Sequence, residues 1–164
     1  MIKTIYLAGG CFWGVQGFFD LLFGVEHTSV GYANSKIPNP SYELVCSSVS
    51  GAVEAIELQY DEDKISLEEV LERFFSIIDP TAWNKQGNDV GTQYRSGIYA
   101  NDPKTLEFVK AFIQKIQERY HKSIQTEVKE LENYYLAEEY HQKYLQKNPQ
   151  GYCHIDLSKA SKPL

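Results

Sequence analysis

The sequence lacks the features that identify membrane, nucleic-acid-binding and disulfide-stabilised proteins. No apolar run approaches the roughly 20 residues that span a bilayer, and the N-terminal residues show no signal-peptide layout. Lysine and arginine total 16 against 22 acidic residues, for a formal net charge of -6. Nucleic acids and anionic membranes are poor candidates for the main partner, because both favour clustered basic residues. Three cysteines are an odd number, which excludes a framework made only of disulfides, and we expect a cytoplasmic protein with mostly reduced thiols.

The composition predicts one domain of mixed secondary structure. With 164 residues, 43% of them hydrophobic, the chain can bury a core, and residues 158–164 are predicted to be a flexible tail. Strands and helices alternate, but the connections are too few and too short for a doubly wound sheet. We therefore predict an α+β two-layer sandwich, with helices packed on a mixed β-sheet. The predicted strands span residues 2–8, 25–33, 53–60, 96–100 and 125–131, and the predicted helices span 12–23, 66–78, 103–116 and 137–147.

A cysteine lies at the first predicted strand-to-helix turn, in the segment Gly9–Gly14. Cys11 falls on the cap or first turn of the helix, where unpaired backbone N–H groups and the helix dipole favour a thiolate. If Phe12 and Trp13 are both exposed beside the thiol, they form an apolar cup. A buried cysteine in a packed turn is the simpler competing interpretation, and the turn alone does not exclude it.

A glutamate lies on the apolar face of the third predicted strand. Glu54 shares the alternation of Ile56, Leu58 and Tyr60, so its side chain is expected on the face that is buried. Burial raises the pKa of a carboxyl group, and a neutral carboxyl can donate a proton near neutral pH. Two alternatives stay open: the strand frays and Glu54 is solvated, or a lysine or arginine pairs with it.

The sequence contains no pattern typical of a metal or phosphate site. It has no Cys-x-x-Cys and no paired-histidine spacing, so no metal centre is expected. Two polar stretches, residues 86–95 and 133–142, are candidate site segments or solvated loops. Tyr42 and Tyr94 are candidate hydroxyl donors for an oxyanion-like group, but the chain alone does not select them among 12 tyrosines.

Six segments together resemble one protein family in the right order over nearly the whole chain. The segments are Gly10–Gly14, Gly31–Tyr32, Asn39–Glu43, Gly87–Ser96, Ala137–Gln142 and Asn148–Cys153. They resemble the signature of the peptide methionine sulfoxide reductase A family. The resemblance implies a ferredoxin-like core and thiol reduction of the S epimer of methionine sulfoxide, free or in proteins, with residues 1–157 as a single catalytic domain.

The resemblance also implies a role for each matching residue. Cys11 corresponds to the nucleophile that attacks the sulfoxide sulfur, and Glu54 corresponds to the acid that protonates its oxygen. Cys153 corresponds to the resolving cysteine, which captures the Cys11 sulfenic acid as a disulfide. The remaining roles are Tyr42 and Tyr94 as the phenols that hold the oxygen, Asp89 as the residue that orders the site, and Phe12 and Trp13 as the pocket for the substrate's methyl group.

The implied reaction uses no bound cofactor and takes its electrons from thioredoxin, or from dithiothreitol in vitro. The implied partners are oxidised proteins, peptides, free methionine sulfoxide and thioredoxin, and we expect a monomer. Gln16 departs from the glutamate that the family usually has, and we expect a modest effect. Cys46 matches a position without an essential role and is expected to be buried and inert. A second recycling cysteine after Cys153 is missing, so we expect a two-cysteine cycle.

Two other function classes compete with a reductase. A cysteine hydrolase needs a histidine base such as His141 within hydrogen-bond reach of Cys11. A binding module for methionine-rich or oxidised segments needs Phe12 and Trp13 but no turnover.

Overall fold

The fold rests on a six-stranded sheet, as seen in a computed structural model that describes residues 1–151 and 155–163. The strands of these residues are β1 (Ile2–Ala8), β2 (Val25–Ala33), β3 (Val53–Asp61), β4 (Lys85–Gln86), β5 (Asp89–Val90), β6 (Gly97–Ala100), β7 (Glu127–Glu130) and β8 (Tyr134–Leu136). The α-helices are α1 (Phe12–Asp20), α2 (Tyr42–Cys46), α3 (Leu67–Ser76), α4 (Pro103–Ile116) and α5 (Tyr144–Lys147).

The main sheet is mixed, which confirms the predicted α+β class. Its strand order is β7-β6-β1-β3-β2-β8, while β4 and β5 form a separate small hairpin. Strand β7 runs parallel to β6, and all other pairs in the main sheet are antiparallel. The four central strands are connected β1-α1-β2-β3-α3-β6, which is the ferredoxin-like arrangement.

The main core lies between one face of the sheet and the helices α1, α3 and α4. Alternation along β1 sends Ile5 and Leu7 into this core and Tyr6 to the opposite face. The helices contribute a matching apolar stripe, represented by Phe18 of α1 and Phe74 of α3. The other face is covered by a smaller cluster of Tyr6, Ala8, Ala33, Val53, Ala55 and Tyr99.

Local signals fix the starts of two helices as the sequence predicts. The Ser66 hydroxyl accepts a hydrogen bond from the Glu69 N–H at 3.1 Å, capping α3. Asp102 caps α4 through the Lys104 N–H at 3.1 Å, and Pro103 occupies the first turn. Both helices pack through their apolar side chains on the sheet face on which Glu54 lies.

The predicted helix over residues 137–147 is wrong. The segment contains a 3-10 turn, Glu139–His141, and then the short helix α5, with Lys143 in the left-handed region between them (φ 54°). Side chains of this segment form hydrogen bonds with neighbouring elements, and the backbone does not continue as one helix. The Gln142 amide accepts from the Val30 N–H at 2.9 Å and donates to the Val30 carbonyl at 2.8 Å.

The first helix and two short elements also differ from the prediction. Helix α1 ends at Asp20 rather than near Phe23, and Gly24 takes a positive φ of 95° to lead the chain into β2. Helix α2 and strand β8 were not predicted, because they are too short for their apolar residues to show a helical or a strand period.

The last described residues pack on the core. Leu157–Ser161 forms a 3-10 helix with Ala160 buried, and Arg73 donates to the carbonyl oxygens of Lys159 and Lys162 at 3.3 and 2.9 Å. The single catalytic domain over residues 1–157 stays a prediction. Among the described residues, no helix is both long and apolar enough to cross a membrane.

Candidate active site

Cys11 lies at the N-cap of α1, at the end of the turn that follows β1. Its backbone is extended (φ -61°, ψ 124°), and Gly10 before it takes a positive φ of 85°, which a glycine adopts without strain. The cysteine is 9% exposed. Cys11 therefore occupies the N-cap of a nine-residue helix, as predicted, and the positive end of the helix dipole at this position favours a thiolate.

Glu54 is a buried carboxyl group that contacts this turn. The residue is 1% exposed, and its Oε1 atom accepts a hydrogen bond from the Phe12 N–H at 3.3 Å. Its Oε2 atom has no hydrogen-bond partner among the described residues, and the ion pairs found in those residues do not include Glu54. Burial raises the pKa of Glu54 to about 8. Both alternatives, a solvated glutamate and an ion-paired one, are therefore wrong.

Two tyrosine hydroxyls lie beside Glu54. Tyr42 is the first residue of α2, Tyr94 ends the 3-10 turn Thr92–Tyr94, and the two phenols interact with each other and with the Glu54 charge. Burial raises the pKa of Tyr42 well above its usual range and that of Tyr94 to about 12. Both groups therefore stay protonated and can donate hydrogen bonds. The charge of Asp89 acts on both Glu54 and Tyr94.

The two aromatic residues after Cys11 differ in exposure. Phe12 is buried, 1% exposed, and its ring contacts Tyr32 and His141, so the condition that both aromatics are exposed is not met. Trp13 is partly exposed. Its ring stacks on Tyr144 with a centroid separation of 3.7 Å and an angle of 7°. The apolar wall beside Cys11 therefore consists of Phe12, which is buried, and Trp13, which is partly exposed and stacked on Tyr144.

His141 holds the tryptophan and is not placed as a general base for Cys11. Its Nδ1 atom accepts a hydrogen bond from the Trp13 indole N–H at 3.0 Å, and its Nε2 atom has no partner among the described residues. Burial lowers the pKa of His141, so the ring is neutral at neutral pH. The geometry does not favour the cysteine hydrolase, which needs a bond between His141 and Cys11.

Glu138 joins two elements on the tyrosine side of the site, and sequence reasoning did not assign it a role. One carboxylate oxygen accepts from the Tyr32 hydroxyl at 2.7 Å, and the other accepts from the Tyr42 N–H at 3.1 Å. Glu138 thereby ties the start of α2 to β2. The mixed aromatic and acidic composition of residues 133–142 marked this segment, but Tyr144, the stacking partner of Trp13, lies beyond it.

Of the two other cysteines, the structure describes Cys46 but not Cys153. Cys46 is exposed, so the expectation that it is buried is wrong. It ends α2 one turn after Tyr42, and its thiol interacts with the Tyr42 hydroxyl, which places it on the rim of the site. Cys153 lies outside the described residues.

Comparisons with known proteins agree with this geometry. The family model for peptide methionine sulfoxide reductase matches residues 3–164. A peptide methionine sulfoxide reductase MsrA of Malacoplasma penetrans is 57% identical over 157 residues, which cover 96% of this chain and 98% of the relative. Reduced Mxr1 from Saccharomyces cerevisiae has a TM-score of 0.88 and 38% identity, covering 94% of this chain and 91% of that one. Mxr1 in complex with Trx2 has a TM-score of 0.62 and 27% identity, covering 87% and 84%.

The fold and the comparisons identify the chain as an oxidoreductase. The chain belongs to the peptide methionine sulfoxide reductase family, over nearly its whole length. Its activity is the reduction of methionine sulfoxide.

Proposed function

We propose that the chain reduces the S epimer of methionine sulfoxide with Cys11 as the nucleophile and Glu54 as the proton donor. The observation that carries this proposal is the position of Glu54. Its carboxyl group is buried, protonated at neutral pH, and hydrogen-bonded to the N–H of the residue after Cys11. A neutral acid next to a nucleophilic thiol suits a sulfoxide, because its oxygen must be protonated while its sulfur is attacked.

In the first step, the Cys11 sulfur attacks the sulfoxide sulfur and Glu54 protonates the oxygen. The oxygen then moves to Cys11, so that the thiol is oxidised to a sulfenic acid and the sulfoxide is reduced to methionine. Tyr42 and Tyr94 hold the oxygen through their hydroxyl protons, which their raised pKa values preserve. Asp89 orders this group through its hydrogen bonds, as the resemblance implies, and its charge raises the pKa values of Glu54 and Tyr94.

The methyl group of the substrate binds against Trp13, and the buried ring of Phe12 supports this pocket from within the core. Trp13 offers a partly exposed aromatic face at the start of α1, and His141 and Tyr144 fix the direction of that face. An apolar wall on one side and two phenols on the other distinguish the methyl group from the oxygen. We attribute the choice of the S epimer to this difference.

In the second step, Cys153 attacks the Cys11 sulfenic acid, which releases water and forms a disulfide. Thioredoxin then reduces the disulfide by transferring two electrons from its own dithiol. The complex of the similar protein Mxr1 with Trx2 supports thioredoxin as the reductant. We further propose that the chain acts as a cytoplasmic monomer on oxidised proteins, peptides and free methionine sulfoxide.

A single-turnover experiment tests the proposal. The reduced protein is mixed, without reductant, with a peptide carrying each sulfoxide epimer separately, and its cysteines are then mapped by mass spectrometry. We expect one equivalent of the S epimer to be converted, no conversion of the R epimer, and a disulfide between Cys11 and Cys153. A Cys46→Ser variant is the control and should give the same disulfide. Conversion without any change at Cys11, or binding of both epimers without conversion, would contradict the proposal.

A further inference from the structure

The tryptophan beside Cys11 is held by two residues that flank a lysine. The Trp13 indole N–H donates to His141, and its ring stacks on Tyr144. Lys143 lies between these residues in the left-handed region (φ 54°, ψ 37°), so the chain turns sharply between the 3-10 turn Glu139–His141 and α5. The backbone of Lys143 thus sets the spacing of the two groups that clamp Trp13.

Lys143 is joined to α1 and β2 through its backbone and its side chain. Its N–H donates to Gln16 Oε1 at 2.9 Å, and Gln16 is 1% exposed on α1, one turn after Trp13. Its ammonium group donates to Asp20 Oδ1 at 2.8 Å and to Thr28 Oγ1 at 2.9 Å. These direct contacts join Lys143 to α1, the helix capped by Cys11, and to strand β2. We call Lys143, Gln16, Asp20 and Thr28 together the anchor.

The four side chains of this anchor satisfy one another. Gln16 Nε2 donates to Thr28 Oγ1 at 3.2 Å, and the Thr28 hydroxyl donates to Asp20 Oδ1. Thr28 thus accepts two hydrogen bonds and donates one, which uses its full capacity. The Asp20 side chain is 10% exposed, so removal of the Lys143 charge leaves a largely buried carboxylate without its ion-pair partner.

The backbone conformation of residue 143 does not explain why this residue is a lysine. Glycine and asparagine adopt the left-handed region with little strain, whereas lysine does so rarely. Lysine is, however, long enough to reach Asp20 and Thr28 from this position, and it carries the charge that Asp20 requires. The side-chain contacts therefore hold the backbone in a conformation that the residue itself disfavours.

We propose that Lys143, together with Gln16 and Asp20, is a positioning residue for the sulfoxide reaction. It fixes the turn between His141 and Tyr144 and thereby the direction of the Trp13 ring. This inference rests on the proposed function, in which Trp13 contacts the substrate's methyl group. Because Lys143 touches neither Cys11 nor Glu54 among its described contacts, its loss weakens substrate binding more than the chemical step.

The test uses a Trp83→Phe background, in which Trp13 is the only tryptophan; Trp83 is 67% exposed. Lys143→Met removes the charge at similar length, Lys143→Arg retains it, and Asp20→Asn removes the opposite charge. Lys115→Met is the matched control, since Lys115 forms a surface pair with Glu68 at 3.4 Å. For each variant, acrylamide quenching of Trp13 fluorescence and the single-turnover rate against concentration of a methionine S-sulfoxide peptide are measured.

For Lys143→Met we expect the half-saturating peptide concentration to rise about tenfold and the maximal rate to stay within about twofold. Trp13 should become more accessible to acrylamide. Asp20→Asn should show the same pattern, Lys143→Arg should recover most of the loss, and Lys115→Met should match the parent. Unchanged quenching and unchanged half-saturation in both Lys143→Met and Asp20→Asn would overturn the inference. Absence of turnover in the parent would contradict the proposed function instead, and the quenching comparison would still decide the positioning role.

Discussion

At the scale of single residues, the site depends on which groups keep a proton. Glu54, Tyr42 and Tyr94 all have pKa values raised by burial, so each can donate a hydrogen bond at neutral pH. The pKa of His141 is lowered by burial, so that ring stays neutral and accepts the Trp13 N–H. Three neutral donors beside a thiol suit a sulfoxide oxygen, whose basicity increases as its sulfur is attacked.

The buried carboxyl of Glu54 makes folding stability depend on pH. The folded state keeps a proton up to about pH 8, whereas an ordinary glutamate releases it near 4.5, so the folded state binds more protons between these values. Stability therefore falls as the pH rises through this window, by up to about 5 kcal/mol. Urea unfolding of the parent and of Glu54→Gln at pH 5 and pH 9 measures the effect. The variant should lose less stability over this range, and equal losses in the two proteins would refute the assignment.

The two phenols should contribute to the chemical step rather than to stability. Removal of a hydrogen-bond donor from a developing negative charge typically lowers the rate about 100-fold or more. We expect Tyr42→Phe and Tyr94→Phe each to lower the single-turnover rate at saturating peptide by roughly 10- to 100-fold, with a larger loss in the double variant. Tyr60→Phe, which removes a hydroxyl from the far end of β3, is the control. Loss of rate in the control as large as in Tyr94→Phe would show that the effect is not specific.

The sequence predicts the burial of Glu54 but not the exposure of Cys46. The alternation of β3 put Glu54 on the buried face, but its hydrogen-bond donor, the Phe12 N–H, lies 42 residues away along the chain and leaves no local signal. The expectation that Cys46 is buried rests on its match to a family position without an essential role. The helix α2 instead turns the cysteine to the surface, and no local pattern distinguishes the two outcomes.

At the scale of elements, the helices and strands with a clear period were predictable. Strands β1 and β2 have the predicted bounds, and the caps of α3 and α4 form as expected. The prediction of a helix over residues 137–147 is wrong because hydrogen bonds to residues distant in the sequence determine the geometry of this segment. Glu138 binds Tyr32, and Gln142 binds Val30, so tertiary hydrogen bonds replace the helical ones.

The contact between α1 and this segment gives a prediction for Gln16. A Gln16→Glu variant keeps an oxygen that can accept the Lys143 N–H, but it adds a second carboxylate near Asp20, which the Lys143 ammonium partly compensates. We expect the single-turnover rate to change by less than about tenfold. Stopped-flow measurements on the parent and the variant check this expectation, with Gln114→Glu at an exposed position of α4 as a control for net charge. A gain of tenfold or more would show that glutamine at this position limits the reaction.

At the scale of the whole molecule, a continuous sheet brings together groups from distant parts of the sequence. Strand β1 leads to Cys11 and β3 carries Glu54, while α2 carries Tyr42 and the 3-10 turn before β6 carries Tyr94. The ferredoxin-like connection places these groups at one end of the core. The resemblance implies the ferredoxin-like order of the four central strands, whereas the pairing of β7 and β8 at the two edges of the sheet was not predicted, because pairing between distant strands leaves no local signal.

The catalytic cycle of the whole protein depends on Cys153. We expect Cys153→Ser to complete one turnover at nearly the parent's rate but to lose most multiple-turnover activity with thioredoxin, because the Cys11 sulfenic acid then has no resolving thiol. Cys46→Ser is the matched control and should retain both activities. Full multiple-turnover activity in Cys153→Ser would show that thioredoxin reduces the sulfenic acid directly or that another thiol replaces Cys153.

We expect a neutral Glu54 to supply the proton while Cys11 attacks, and the pH dependence of the single-turnover rate measures this directly. The rate of reduction of a methionine S-sulfoxide peptide is measured from pH 5 to pH 10 in the parent and in Glu54→Gln. We predict that the parent's rate falls above a midpoint near the pKa of Glu54, about 8, and that the slower variant lacks this fall. A fall of the same size and midpoint in both proteins, or none in the parent, would contradict this role of Glu54.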